Sequence, residues 1–352
     1  MFMPKNILIA PLNWGLGHAT RCIPIIRALE IQGFTPVIAS DGIALQLLQK
    51  EFPHLQSIEL PSYEIEYAKD GNDFKWKLIK NSPKMIQAIL DEKKLVKKLV
   101  VQFDLKGIIS DNRLGVRNKK IPSIFITHQL NVLSGKTTWI SSKLHQHFIK
   151  KFNECWVPDM QEIHNLTGKL GHLKNSSLSL RYIGPLSRLE KKEMPIKYKL
   201  MVVLSGPEPQ RTMLEEKLKN EVRLFAGNVI FIKGIIEPIQ KIEEIENVTY
   251  YNFMTSDELE KTFNESEIVL SRSGYTTVMD LAKLEKKAFF IPTPGQFEQI
   301  YLAKRFKRNG FAPYANQDNF RIENLIEIQL YKGLPKLNQT INWRQLFIPF
   351  LE

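Results

Sequence analysis

Short runs of Ile, Val, Leu and Phe recur along this chain between amphipathic stretches, and that alternation constrains the fold more than any other feature. Asn6-Ile-Leu-Ile-Ala10, Pro36-Val-Ile-Ala-Ser40, Leu55 to Leu60, Gly107-Ile-Ile-Ser-Asp111, Ser123-Ile-Phe-Ile-Thr127 and Cys155-Trp-Val157 each read as a strand buried on both faces. Helical spacing fills most of the gaps, so the strands are expected to form a parallel sheet. The charged, proline-ended stretch Leu189-Glu-Lys-Lys-Glu-Met-Pro195 then interrupts the series with too little apolar content for a core position. A second series follows in Leu200-Met-Val-Val-Leu204, Val229-Ile-Phe-Ile232, Val248 to Phe253, Ile268-Val-Leu270 and Ala288-Phe-Phe-Ile291. The reading is α/β: a doubly wound, Rossmann-like domain at 1–182, a linker at 183–198, a second such domain at 199–333 and a helical tail at 334–352. Trp343, Leu346, Phe347, Ile348 and Phe350 give that tail enough apolar surface to pack. Two open sheets of this kind bind ligands beyond the carboxyl ends of their strands, here expected to face each other across a cleft.

The 352 residues, 43% of them apolar and 24% charged, suit folded domains and exclude a disordered or collagenous chain. Only Cys22 and Cys155 are present, which argues against a disulfide framework or a thiolate zinc cage, and both are expected to be buried. No run approaches the roughly 18 apolar residues of a membrane span, and the first apolar run stops at Ala10, so a cytoplasmic protein is expected. The net charge of +12 favours anionic partners such as nucleotides, lipid headgroups or nucleic acid, without choosing among them, and equally suits a basic but solvated surface; with the motifs below, no nucleic-acid partner is expected. Lys75 to Lys80 and Lys93 to Val101 interleave cations with apolar residues. Such a helix either lies on an anionic membrane, at its inner face, or packs one side inward; both readings are open.

Chemistry concentrates where strands turn into helices. After the first strand comes Asn13-Trp-Gly15-Leu-Gly17-His18-Ala-Thr20, where glycines let backbone amides approach an anion at a helix N-terminus. Gly15 and Gly17 are therefore candidate diphosphate contacts. Thr20 stands where a dinucleotide fingerprint has its third glycine, and no Walker lysine follows. His18 can take a proton from a hydroxyl nucleophile, with its pKa expected to be depressed by the helix N-terminus. Asp111, ending another strand on the same edge, is the candidate to orient it; a hydrogen bond within the turn for His18 and a helix cap for Asp111 are the alternatives. His128 and Asn131, beyond Thr127, are candidate acceptor contacts on that rim.

In the second domain Ser205, Gly206 and Arg211 offer a hydroxyl, amides and a forked cation to phosphate. Ser273, Gly274, Thr276 and Thr277 offer more hydroxyls and amides, and Asp280, read as lying in the first turn of the next helix, suits ribose hydroxyls. Gln296, Glu298 and Gln299 at the following helix start are candidate sugar contacts.

Gly15-x-Gly17-His18, Ser205-Gly206, and Ser273-Gly274-x-x-Thr277-Val278-x-Asp280 followed by Pro292 and Gln299 resemble the MurG-type glycosyltransferases of glycosyltransferase family 28. The resemblance implies a GT-B fold and a nucleotide-sugar donor, a UDP-sugar of N-acetylglucosamine or another hexose, held mainly by the C-terminal domain. It also implies inversion at the anomeric carbon with neither metal nor cofactor. On this resemblance Ser205 and Gly206 hold the diphosphate, Asp280 the ribose and Gln299 the donor sugar, while His18 and Asn131 line the side of a hydroxyl acceptor, a lipid or cell-envelope glycan. The chain departs from the family in Gly206-Pro207-Glu208-Pro209, in Asp280 where Glu is usual, and in His128-Gln-Leu-Asn131, which leaves acceptor and sugar open. A UDP-sugar 2-epimerase of the same architecture and a non-catalytic nucleotide-binding protein are the competing readings.

Overall fold

Strand β1 (Lys5–Pro11) carries Ile7, Leu8, Ile9 and Ala10 with no solvent exposure, as a strand covered on both faces must. The computed structural model describes residues 5–63, 82–162, 165–206, 208–336 and 340–351. These divide into two compact units, one holding the described residues up to Leu186 together with 340–351, the other those from Ser187 to Lys336.

In the first unit, β1 is joined by β2 (Phe34–Ser40), β3 (Ser57–Glu59), β4 (Leu105–Asp111), β5 (Ser123–Ile126), β6 (Glu154–Val157) and β7 (Leu180–Tyr182). Their spatial order is β3-β2-β1-β4-β5-β6-β7, and every pairing is parallel. The helices α1 (Gly17–Ile31), α2 (Gly42–Glu51), α3 (Ser82–Gln102) and α4 (Thr138–Ile149) make crossovers between these strands. The chain fills one side of β1 before returning to fill the other, so the topological switch lies between β1 and β4. There Pro11 pairs with Asp111. This register brings the loop after β1 and the end of β4 together at the carboxyl edge, where open sheets bind ligands.

The second unit repeats the plan with β8 (Tyr198–Val203), β9 (Val229–Ile232), β10 (Ile242–Ile245), β11 (Val248–Tyr251), β12 (Ser266–Ser271) and β13 (Lys287–Phe290), in the order β10-β11-β9-β8-β12-β13. All neighbours are parallel except the edge hairpin β10–β11. Its helices are α5 (Gln210–Val222), α6 (Ser256–Asn264), α7 (Tyr275–Lys283) and α8 (Phe297–Arg308). The switch falls between β8 and β12, where Val203 pairs with Ser271. Leu200, Val202, Phe231, Leu214, Leu218 and Phe289 build the core beneath that edge.

Several expectations change at this level. Leu189, read as outside any core, is fully buried, and the stretch after it is strapped to α6: Asn264 donates to the Glu190 carbonyl at 3.0 Å and accepts from the Lys192 amide at 2.9 Å. The last described segment is helical only in the single turn α9 (Trp343–Leu346) and a 3-10 turn at Ile348–Phe350. It packs in the first unit by aromatic contact, Phe347 lying 5.8 Å edge-on from Phe34 and Phe350 6.4 Å from Trp156. Gly107 on β4 makes room for the Phe350 ring, which a Cβ there would strike. Lys93 to Val101 belongs to α3 and turns Val96 and Leu99 into the core, so this basic stretch packs one side inward. Lys75 to Lys80 lies outside the described residues. Among the described residues, no helix is long and apolar enough to cross a membrane.

Candidate functional site

The loop after β1 turns through Gly15, whose φ of +73° L side chains rarely adopt, and enters α1 at Gly17. A Cβ on Gly15 would meet nothing within 4 Å, so glycine is required by the backbone and not by crowding. His18 follows with its side chain 14% exposed and Nδ1 2.8 Å from Oδ1 of the fully buried Asp111. Arg21, one helical turn on and also buried, contacts both carboxylate oxygens of Asp111 through Nε and Nη2. Its Nη2 lies 2.9 Å from Nδ1 of His18, and its Nη1 2.8 Å from Nδ1 of His128.

This arrangement fixes protonation states. Burial by itself raises the pKa of Asp111, but Arg21 and His18 together outweigh it and hold the carboxyl well below the usual range. An ionised Asp111 only accepts, so in the tautomer that pairs with it Nδ1 of His18 carries the proton and Nε2 the lone pair, and the Arg21 guanidinium then lies beside Nδ1 as a charge and not as a hydrogen-bond donor to it. Burial lowers the His18 pKa below 6.5, with the charges of Arg21 and His128 acting the same way and Asp111 opposing. The lowering expected from the sequence is present, but desolvation leads it and not the helix terminus. His18 is therefore a neutral imidazole beside an ionised carboxylate.

The other acceptor-side expectations come out differently. His128 is 5% exposed and sits behind the His18–Asp111 pair on Arg21, so it does not line the rim. Asn131 spends its side-chain amide on the Lys169 carbonyl at 2.6 Å and its backbone N–H on that of Leu170, pinning the turn at 168–170. His145 on α4 is pushed down to about 4, chiefly by burial. Both cysteines are buried, as expected.

A second buried network on the same edge has no counterpart in the sequence reading. Arg113, fully buried, pairs with Asp41 and with Glu92 at 2.7 Å and donates to the Pro11 carbonyl at 3.0 Å. Tyr63 donates to Glu92 at 2.8 Å, and Asn13 to Asp41 at 3.1 Å. The loops after β1, β2 and β4 are thereby fastened to α3.

In the second unit, Ser205 and Gly206 follow β8, and Gly206 holds φ +107° with open space where a Cβ would stand. The adjacent β12 leads into Gly274, the N-cap of α7, likewise open at its Cβ position. Thr276 and Thr277 occupy the first turn, half-buried, among N–H groups that the helix itself leaves without acceptors. A helix N-terminus flanked by glycines and hydroxyls at a sheet switch is chemically suited to receive an anion.

Two of the expected phosphate contacts point elsewhere. Arg211 commits its guanidinium to Glu208 and Glu215 at 2.6 Å each, to Thr212 at 2.7 Å and to the Lys233 carbonyl at 3.2 Å. Ser273 is fully buried and donates to the Gln299 carbonyl at 2.8 Å. Both hydroxyl and cation are satisfied inside the fold. Gln299 is 7% exposed and accepts from the Thr293 amide at 2.8 Å, so it shapes the loop after β13 instead of opening toward sugar hydroxyls. Gln296, the N-cap of α8, and Glu298 in its first turn stay at the surface.

Arg272, missed by the sequence reading, is fully buried and draws three loops together. It donates to the carbonyls of Gln210 at 2.9 Å, Ile291 at 3.2 Å and Pro292 at 3.3 Å, and to Oε1 of Gln317 at 2.7 Å. Asp280 lies in the second turn of α7, not the first, and its Oδ1 accepts from the Ser187 hydroxyl at 2.6 Å. Burial pushes its pKa up to about 6 against the pull of Arg188 and Ser187. A buried acid held so close to neutrality is the kind of group that gathers at functional sites. Among the described residues, no cluster of three His, Cys, Asp or Glu side chains is disposed to hold a metal ion.

Residues 208–342 match the glycosyltransferase family 28 C-terminal domain. The chain is 24% identical over 349 residues to the UDP-N-acetylglucosamine–N-acetylmuramyl-(pentapeptide) pyrophosphoryl-undecaprenol N-acetylglucosamine transferase of Haemophilus ducreyi, covering 96% of this chain and 93% of that protein. Among solved structures, the glycotransferase of kitacinnamycin superposes with a TM-score of 0.59 at 14% identity, covering 93% of this chain and 91% of its own. MurG of Acinetobacter baumannii does so with a TM-score of 0.51 at 16% identity, covering 94% and 92%. At these identities the two structural likenesses speak for the fold, two parallel-sheet domains of GT-B type.

The buried acid supplies a test of the second site. Between about pH 4 and pH 6 the folded chain holds the Asp280 proton more tightly than the unfolded chain, so this group's contribution to stability falls as pH rises through that window. Asp280→Asn removes the titration. Thermal unfolding of both proteins should show the variant gaining on the wild type between pH 4.5 and pH 7; a difference independent of pH would contradict the buried, shifted acid.

Proposed function

We propose that this chain, which has a GT-B fold, is a glycosyltransferase of the MurG type that moves N-acetylglucosamine or another hexose from a UDP-sugar to a hydroxyl of a lipid-linked, cell-envelope acceptor. In this reading the anomeric carbon is inverted and neither metal nor cofactor takes part. The observation that carries it is the chemistry at the two sheet switch points. One presents Gly206, Gly274 and the first turn of α7 to an anion; the other presents a neutral imidazole backed by a carboxylate. The Haemophilus relative's name, which gives a UDP-linked donor and an undecaprenol-linked acceptor, supports the donor and acceptor classes.

Nε2 of His18 takes the acceptor hydroxyl proton as the oxygen attacks the anomeric carbon and the bond to the diphosphate breaks. Negative charge then grows on the leaving group, where fixed amides of the α7 N-terminus lower the barrier; one such donor is worth about 2.7 to 4 kcal/mol. Asp280 is assigned to the ribose. Ser205, Thr276 and Thr277 complete the diphosphate seat, with Gln296 and Glu298 toward the sugar.

Peripheral contact with the inner face of an anionic membrane belongs to the same proposal. On α4, Trp139, Ile140 and Leu144 are all more than half exposed, and Lys143 lies over the Trp139 ring at 5.4 Å. An apolar stripe with cations beside it suits the headgroup region. Co-sedimentation with phosphatidylglycerol vesicles, lost in the double variant Trp139→Ala and Leu144→Ala, is the expected result; equal binding by both proteins would exclude this helix.

The reaction itself is tested with UDP-N-acetylglucosamine and a polyprenyl-diphosphate-linked saccharide. UDP release should require the acceptor, and His18→Ala should lower kcat by about 10²- to 10⁴-fold with donor affinity unchanged. An epimerised donor formed without acceptor, or tight UDP binding without turnover, would overturn the proposal.

A further inference from the structure

A carboxylate touching one imidazole nitrogen normally makes the other nitrogen more basic, because it stabilises the charged ring. In this chain the same carboxylate is already held by a guanidinium. Arg21 contacts both oxygens of Asp111 and also comes within 2.9 Å of Nδ1 of His18. We propose that Arg21 is a positioning residue which, by occupying Asp111 and lying against His18, keeps the imidazole neutral with Nε2 free while Asp111 stays ionised. The inference rests on the reading of His18 as the base.

The groups that face this pair all act in one direction or are accounted for. From the end of β4 come Asp111 and Asn112, whose Nδ2 is 3.5 Å from Nδ1 of His18. From α1 come Arg21 and Cys22, whose Sγ lies 3.8 Å from Asp111; burial raises the Cys22 thiol pKa and keeps it neutral. From beyond β5 comes His128, on the far side of the guanidinium.

Doubly protonated His18 would set a second cation within hydrogen-bonding distance of Arg21 in a buried place, where water screens little. With a singly protonated ring the repulsion between two cations vanishes: Nδ1–H points to Asp111, and Arg21 lies beside it without a hydrogen bond to Nδ1. A plain acid–imidazole pair would be partly protonated near neutrality and unable to accept. Burial counters that loss first, and Arg21 adds to the effect while preserving the carboxylate that orients the ring, so the two roles of Asp111, holding and charging, are separated.

Histidine ¹⁵N NMR titration, with His18→Gln supplying the assignment, reads this without substrate. The wild type should show the Nδ1–H tautomer of His18 with half-protonation below pH 6.5. Arg21→Met should raise the proton affinity of His18 at least tenfold and carry the acidic limb of kcat/KM upward by the same amount. Arg21→Lys keeps the cation and should keep His18 below 6.5, which a merely packing role for the side chain would not explain.

Wild-type His18 titrating at or above 6.5, or Arg21→Met leaving its affinity unchanged, overturns the inference. Should Arg21→Met fail to fold for want of a partner to Asp111, the wild-type tautomer and the Arg21→Lys titration still decide it. A transfer assay that fails with the chosen acceptor counts against the functional reading and leaves the titrations standing.

Discussion

A carboxylate with no solvent contact is tolerated only when its charge is met, and Asp111 is met by Arg21 and His18 at once. That contact ties the first helix to the end of β4 across the sheet's switch point, so the glycine loop before α1 cannot drift from the strand beside it. Removing Arg21 would leave an uncompensated buried charge, which commonly costs several kcal/mol. A buried guanidinium recurs at the carboxyl edge of each sheet. Arg113 gathers the loops after β1 and β2 and helix α3, and Arg272 gathers those after β8 and β13 together with Gln317. Three buried guanidinium groups thus give firm shape to loops that a parallel sheet by itself leaves loose.

Firm loops matter because the chemistry asks for preorganisation. Amides aimed at a departing diphosphate help only if they need not reorganise as charge appears. Ser273, Thr293 and Gln299 cross-link the loops after β12 and β13, which keeps the entry to α7 in place. A proton acceptor must likewise hold one tautomer in one orientation, and His18 is set so by Asp111. Two sheets of one plan thereby present unlike side chains at their switch points, an imidazole–carboxylate pair on one and a glycine- and hydroxyl-rich helix start on the other.

Much of this was legible in the sequence, and the rest was hidden for physical reasons. Continuous apolar runs marked the long central strands, because a strand covered on both faces has nowhere to place polar groups. The three-residue β7 and the edge strand Ile242-Glu-Glu-Ile245 lack that signature and were not foreseen. Glycine loops flagged both switch points, and His18 with Asp111 was found from strand ends alone. What sequence could not give was direction. Ser273 and Arg211 have the right chemistry for phosphate but turn inward, since Gln299 on one side and Glu208 and Glu215 on the other were nearer partners. The buried Arg21, Arg113 and Arg272, paired with carboxylates or capped by carbonyls, carried no signature of burial in the sequence. The i to i+3 spacing of His18 and Arg21 was the one available hint that both face Asp111.

The central claim is that a nucleotide-sugar is held at the carboxyl edge of the second sheet, by the loops after β8, β12 and β13. Photocrosslinking with a 5-azido-UDP-sugar, followed by peptide mapping, addresses it directly. Labelling should concentrate in peptides spanning Ser205 to Arg211, Ser271 to Asp280 and Pro292 to Gln299, and unlabelled UDP should suppress it. Labelling confined to peptides before Leu186, or undiminished by UDP, would contradict the claim.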